Sequence, residues 1–374
     1  MRKAYILRRR GEEKGVVQKE RVAKAFNKWL EGKPLTNVTP EEVVDFLIFK
    51  EMEGKGRTVV HRETCPRLGT TDLKGCKIQE CGTRHAYDSL RSGYFEKIKS
   101  LFEEGGMGGR WNPQRHEGNP AKSLEVENYL SFVKKEQGLA GITPKQEKVI
   151  LRGKVRQLIQ MLKLLRDSQR NTMNKMLTSR DIAIFSLAFC TSKRGDDLVK
   201  IVANNVMRIP NKGGLVFNFT WGKTLRNGKG HMFGLECTCQ FLEEKGFCAS
   251  CEVDNYVKEA EDLGWDFNKG YLFSENNHGT KNAGPMKAPK LTRILVGYLK
   301  KFDIFDKETM QSFRSGGAIC AILEGESLEE VMYRAYWKSP KTAVYYTKVL
   351  EVMCPRGFSW EKMEVTSRTQ IIIS

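Results

Sequence analysis

Four positions carry side chains suited to handling a negatively charged group. Arg194 lies in CTSKRGDDLVKI, a short polar break after an apolar helix pattern; Asp197 stands where it can hold the arginine from below while the guanidinium fork faces outward. Lys223, in WGKTLRNG, falls near a turn, where a long cationic side chain reaches into a groove and where Gly222 suits a bulge that re-aims the strand. Arg314, in TMQSFRSGGAICAILEG, precedes two glycines that cost roughly 1 kcal/mol each inside a helix, so a close approach to backbone or phosphate is expected there. Tyr345 and Tyr346 stand side by side in KSPKTAVYYTKV. Adjacent helical residues point about 100° apart, so the two phenols cannot share one job. All but Arg314 also have a plain reading: a surface ion pair for Arg194, a solvated turn lysine for Lys223, core packing for the tyrosines.

Two cysteine-rich stretches form a second group. CTCQFLEEKGFCASC spaces Cys237, Cys239, Cys248 and Cys251 as C-x-C followed by C-x-x-C, which can close around a tetrahedral zinc. His61, Cys65, Cys76, Cys81 and His85 make a looser set of the same kind. The alternative for both is reduced thiols packed at the surface and in the core.

The chain has 374 residues, with 63 Lys+Arg against 45 Asp+Glu, a formal charge of +18. That excess favours a polyanionic partner, most simply nucleic acid, although an anionic membrane would also suit it. No run of 18 apolar residues appears, so a spanning helix is not expected, and MRKAYILRRRGEEKG lacks the apolar core of a signal peptide. An intracellular protein with its ten cysteines reduced or metal-bound is the expectation.

The elements that must position these groups are mostly helical. The periodicity predicts helices over 16–32, 39–53, 89–106 and 121–138, with Thr39 capping and Pro40 opening the second. Residues 139–147 read as a linker. A long basic helix over 148–176 follows, then an apolar helix over 178–190 with Thr178 and Asp181 in capping-box spacing, then a helix beginning DDLVKIVANNV. Leu215, Phe217, Phe219 and Trp221 alternate with smaller or polar residues and Asn227-Gly228 is a turn signal, so 213–235 is a hairpin. Ser327 with Glu330, and Ser339 with Pro340, open the last two helices. The fold class is mainly α with a small antiparallel sheet: a helical domain over 1–138, a second domain over 148–353 and a polar tail over 354–374.

The order of these groups resembles that of the tyrosine recombinases. The family pattern is read in Arg194-Gly-Asp-Asp197-Leu198, Lys223, Gln311-Ser-Phe-Arg314, Trp337 and, nine residues later, Tyr346. The wording FNFTWGKTLRNG, SFRSGGAI and YWKSPKTAVYYTKV resembles the recombinases of Crypton DNA transposons, and RWNPQRHEGNPAKSLEVENYL resembles their core-binding region. The resemblance spans about residues 40 to 350.

It implies a DNA-clamping core-binding domain and a catalytic domain in which Tyr346 attacks a scissile phosphate and forms a covalent 3′-phosphotyrosine. Arg194 and Arg314 then stabilise the charge of the transition state, Lys223 protonates the departing 5′-oxygen, and Trp337 donates its indole N–H or buttresses the tyrosine helix. No cofactor is needed for such chemistry. The implied partner is double-stranded DNA, on which the protein assembles as dimer and tetramer in the nucleus. The sequence departs from the family at Gln311, where a histidine is expected; an amide bonds a phosphate oxygen but moves no proton near neutral pH. His231 on the second hairpin strand is a partial substitute. A catalytically silent DNA-binding derivative and a type IB topoisomerase are the alternatives.

Overall fold

The computed structural model describes residues 14–53, 58–70, 72–79, 81–142, 148–209, 213–222, 225, 230–239, 246–275 and 284–347. Two compact units divide at Gln146/Glu147.

In the first unit, helix α1 (Lys14–Trp29) and helix α2 (Pro40–Met52) are joined by a short 3₁₀ turn. Thr39 caps α2 ahead of Pro40 as expected, and Glu42 completes a capping box with it. A two-stranded antiparallel ribbon, β1 (Thr58–Val60) and β2 (Gly82–Arg84), brackets the Cys/His-bearing connector. The helix expected over 89–106 is α3 (Tyr87–Leu90), a π turn (Arg91–Phe95) and α4 (Glu96–Glu104) in continuous succession. Helix α5 (Leu124–Leu139) is capped by Ser123, whose side chain accepts from the Val126 N–H. Phe26, Phe46, Leu47, Ile98, Phe102 and Val126 form the core, with the Phe26 and Phe46 rings edge-on at 4.9 Å. A buried polar seam ties the ribbon to it. Arg84 donates to Glu136 at 2.9 Å, and the Tyr129 hydroxyl donates to Glu51 at 2.6 Å. Pairing of this kind is what lets those charges leave water.

The second unit is built on a helix whose second half is almost wholly apolar and therefore buried. This is α7 (Thr172–Thr191), in which Ile182 to Phe189 are all buried. Helix α6 (Arg152–Ser168) precedes it, so the single long helix expected over 148–176 is interrupted. Asn171 explains the break: its side chain accepts from the Asn174 N–H and caps α7. Thr178 is no cap. It lies inside α7 and donates to the Asn174 carbonyl.

The stretch DDLVKIVANNV is also not one helix. It holds one short α-helix, α8 (Gly195–Leu198), and a 3₁₀ turn (Ala203–Asn205), and β3 (Val206–Arg208) forms the edge of a three-stranded antiparallel sheet with β4 (Gly214–Phe219) and β5 (His231–Glu236). Leu215, Phe217 and Phe219 point into the core as their alternation predicts, whereas Trp221 lies beyond the strand, 47% exposed, with the Lys200 ammonium 4.0 Å from its ring centroid. The Asn227-Gly228 turn lies outside the described residues. Helices α9 (Ala249–Asp262), α10 (Ala288–Lys301), α11 (Met310–Leu323), α12 (Leu328–Ala335) and α13 (Pro340–Thr347) complete the unit, and the expected Ser327–Glu330 box caps α12.

Helix α11 crosses α7 through Gly316 and Gly317. A Cβ at Gly317 would stand 2.0 Å from the Phe189 carbonyl oxygen, and one at Gly316 would stand 1.8 Å from that of Ile150. Both neighbours are backbone, so neither can rotate away. Gly317→Ala is expected to cost about 1–3 kcal/mol by overpacking. Gly297→Ala in α10, which meets nothing within 4 Å, should instead gain about 0.5–1 kcal/mol of helix propensity. Thermal melts of the two variants read the opposite signs.

Candidate functional site

Helix α11 delivers Arg314 to the middle of the second unit with no exposed surface. Two chain reversals meet it. Helix α7 ends at Ser192 with φ 50° and α12 ends at Tyr336 with φ 53°, left-handed positions that residues other than glycine enter at a cost of roughly 1–2 kcal/mol. Those reversals present helix C-terminal carbonyls. Arg314 Nη1 donates to the Ser192 oxygen at 2.7 Å and Nη2 to the Ala335 oxygen at 3.2 Å. The partial negative charge of helix C-termini suits a buried cation. Its Nε has no hydrogen-bond partner among the described residues.

The aromatic side of the site lies against this guanidinium. Its carbon is 4.9 Å from the Trp337 ring centroid and 5.5 Å from that of Tyr346. The Trp337 and Tyr346 rings stack at 5.2 Å with 10° between their planes. Trp337 is buried and its indole Nε1 also has no partner among the described residues. Tyr345 is 51% exposed and meets Tyr346 edge-on. The two phenols therefore differ as adjacent helical positions must: one faces Arg314 and the other faces away.

Arg194, half-buried, precedes α8, and its backbone carbonyl accepts from the Asp197 N–H at 2.9 Å. The Arg194 charge and the Asp197 carboxylate attract one another, the charge opposing the rise that burial causes. The Asp197 carboxylate lies under the hairpin, where a Cβ on Gly222 would come within 3.3 Å of its Oδ1. Burial raises the Asp197 carboxyl above its ordinary value, opposed by the charges of Arg194, Arg314 and Lys193. Burial and the nearby Arg194 charge bring Arg314 down to about 9, while Asp197 and Tyr346 act the other way. Gln311 sits half-buried in the first turn of α11, its N–H bonded to Thr309 Oγ1. Lys223 lies outside the described residues, between β4 and β5.

Lys193 was not singled out from the sequence, yet it is buried beside Arg194. Its ammonium lies 4.8 Å from the Phe219 ring centroid and 5.4 Å from that of Tyr336. The doublet Lys193-Arg194 in a short polar break was the available signal. His231 pairs with Phe219 across the ladder, is buried and packs at 4.6 Å on Tyr336 and 4.8 Å on Tyr333; its Nε2 has no partner among the described residues. Burial and the Lys193 charge bring it down to about 4, so the imidazole is neutral at pH 7.

The cysteine groups close as clusters. Cys237, Cys239, Cys248 and Cys251 bring their sulfurs together at the end of β5 and the start of α9, and His61, Cys65, Cys76 and Cys81 do so between β1 and β2. His85 is not a member; its ring packs on Tyr94. Tetrahedral thiolates around zinc lie about 3.8 Å apart. The Cys237–Cys251, Cys237–Cys248 and Cys65–Cys76 sulfurs are 3.7, 3.8 and 3.7 Å apart, and Cys239–Cys251 is tighter at 3.2 Å. Thr238, Arg62 and Arg67 aim backbone N–H groups at the sulfurs of Cys248, Cys81 and Cys65. His61 Nε2 lies 3.0 Å from the Asp72 carbonyl; an N–H there leaves Nδ1, 3.5 Å from Cys65 Sγ, free for a metal. Both clusters could hold zinc.

Lys193 also has a consequence for stability. Burial brings its ammonium down to about 7, with Asp197 opposing and Arg314 and Arg194 adding to the fall. Between that value and the unfolded lysine near 10.4, the unfolded chain binds the extra proton, so this group makes stability rise with pH. Denaturant unfolding from pH 7 to 10 should lose a slope of about 1.4 kcal/mol per pH unit in Lys193→Met relative to wild type.

A model of the ALOG domain matches residues 11–135, less than half of the chain. No curated protein matches. Among solved structures, the chain is similar to a lambda integrase (75–356) dimer bound to a COC′ core site (TM-score 0.54, 15% identity, 98% of this chain and 97% of that one). It is likewise similar to the Tn1549 transposon integrase (aa 82–397) in complex with circular intermediate DNA (0.53, 12%, 92% of each). A lambda integrase tetramer bound to a Holliday junction matches at 0.51 and 15%, with 97% and 78% covered. Identities this low speak for architecture alone, and the architecture is the one these integrase structures have.

Proposed function

We propose that the chain is a site-specific DNA recombinase that cuts and rejoins DNA through Tyr346. The observation that carries this reading is the convergence of Tyr346, Trp337 and a fully buried Arg314 with spare donors at Arg314 Nε and Trp337 Nε1. Such donors, fixed before a substrate arrives, are what a developing phosphorane charge needs. In the reaction, Tyr346 gives up its phenolic proton to water as Oη attacks phosphorus, the P–O5′ bond breaks, and Lys223 protonates the departing oxygen. Arg194 and Arg314 hold the non-bridging oxygens, with Gln311 as a hydrogen-bond donor at the family's histidine position. The bond energy is kept in the phosphotyrosine, so the second transesterification reverses the first. The Crypton-like wording quoted above makes a transposable element the preferred source. The protein then acts on duplex DNA in the nucleus, as a dimer on one site and a tetramer across two; among the described residues, no helix is long and apolar enough to cross a membrane.

A second reading is a DNA-binding protein derived from such an enzyme without its chemistry. Gln311 favours it, as does the ALOG match confined to the first unit.

Incubation with nicked half-site DNA decides between them. Wild type should leave a covalent protein–DNA adduct on a denaturing gel, Tyr346→Phe none, and Tyr345→Phe an adduct close to wild type. An adduct that survives Tyr346→Phe and disappears in Tyr345→Phe would reassign the nucleophile, and no adduct with a matched target supports the silent reading.

We also propose that both cysteine clusters hold structural zinc. Elemental analysis of the full chain should find two zinc per chain, falling to one in Cys248→Ser and, separately, in Cys65→Ser. Zinc at background level in wild type would return both clusters to plain thiols.

A further inference from the structure

Lys193 is a buried amine that the proposed reaction leaves unused. Among the described residues its ammonium makes no hydrogen bond or ion pair, and only the faces of Phe219 and Tyr336 meet it. The charged and titratable groups that face it come from every element around it. They are Arg194 on its own loop, Asp197 from α8, Arg314 from α11, His231 from β5 and Tyr336 from α12. Three cations thus share one carboxylate, and His231 adds no charge because burial keeps it neutral. A protein interior tolerates cations with so little counter-charge only if an anion joins them or one of them loses its proton.

We propose that Lys193 is the proton-linked member of the phosphate site: it is neutral in the free protein and takes up one proton from solvent when a phosphodiester docks between Arg194 and Arg314. The inference rests on the reading of this site as a phosphodiester site and adds a residue and a regulation to it. Lysine suits the task and arginine does not, because only the ammonium can shed its proton within the working pH range. The burial that brings Lys193 down to about 7 sets where the switch falls. A bound phosphate supplies the missing negative charge and restores the ammonium. Lys193 is a positioning residue in this account; it tunes the field felt by the two arginines and need not touch the reacting atoms.

The test uses the full-length, zinc-supplemented Tyr346→Phe protein, so that no cleavage intervenes, and a fluorescein-labelled 30-base-pair duplex of arbitrary sequence at constant ionic strength. Binding should weaken from pH 6 to pH 9, approaching about tenfold per unit above pH 7. Calorimetry at pH 8 in two buffers of different ionisation enthalpy should register uptake of about one proton. Adding Lys193→Arg should remove both the slope and the uptake while binding stays tight at high pH. Adding Lys193→Met should remove them with weaker binding throughout. Absence of proton uptake in the parent protein overturns the proposal without recourse to any variant, as does unchanged uptake in both variants. The covalent-adduct assay on wild type is read separately. An adduct without proton uptake sinks the role of Lys193 alone, and proton uptake without an adduct sinks the cleavage reading alone.

Discussion

The second unit depends on keeping one guanidinium out of water. An arginine with no exposed surface is tolerated only where its donors are met, and Arg314 is met by the carbonyls that end two different helices. This fixes the C-terminus of α7 and the C-terminus of α12 relative to α11. It also explains why two non-glycine residues, Ser192 and Tyr336, adopt left-handed backbone at those ends. Gly316 and Gly317 are the other half of the same constraint. Without their close approach to the Ile150 and Phe189 carbonyls, α11 would stand off α7 and the guanidinium would lose its partners.

The aromatic layer follows from that placement. Tyr336 turns the chain from α12 into Trp337, which lies flat against both Arg314 and Tyr346. The same turn places Tyr336 on His231, while the Tyr333 hydroxyl donates to the Met232 carbonyl and fastens α12 to β5. The sheet, the buried arginine and the tyrosine helix are therefore one mechanical assembly. A phenol held by stacking on one face, with a guanidinium beside it, is restricted in both position and electrostatics. The exposed Tyr345 enjoys neither restriction.

Much of this was legible because short-range rules governed it. Thr39 with Glu42 and Ser327 with Glu330 cap helices by contacts three residues apart, and the alternation through Leu215, Phe217 and Phe219 needs only the strand period. The inequality of Tyr345 and Tyr346 follows from 100° per residue. The errors arise where a local signal had a competitor. Asn171 and Thr178 both resemble caps, and only the burial of α7 decides that Thr178 belongs inside it. DDLVKIVANNV carries a helical period, yet Val206 to Arg208 are taken by pairing with β4, a contact that no local pattern announces. His85 matches a metal-ligand spacing but is drawn to Tyr94. Lys193 was hidden for the same reason: its surroundings come from four elements distant in sequence, and a lysine beside an arginine reads as solvent-facing until those elements close over it.

Gln311 is where the site departs most from the recombinase pattern the sequence resembles, and the surrounding charges bear on what that departure means. An imidazole at that turn would bring a titratable group next to Arg314. An amide brings none, and the imidazole of His231 is held neutral by burial and by Lys193. Apart from the proton that Lys223 gives the leaving oxygen in the proposed reaction, a pH response near neutrality must then come from groups whose environment has moved them into range. Among the lysines, arginines and histidines of this cluster, Lys193 is brought to about 7, whereas Arg314 stays near 9 and His231 near 4. Under the proposed function, glutamine in place of the histidine removes a proton carrier without removing the electrostatic frame. That frame, not the histidine, holds the phosphate in the proposed chemistry. In the proposed chemistry such a site would bind and polarise a phosphodiester by fixed charge and leave its pH response to a lysine.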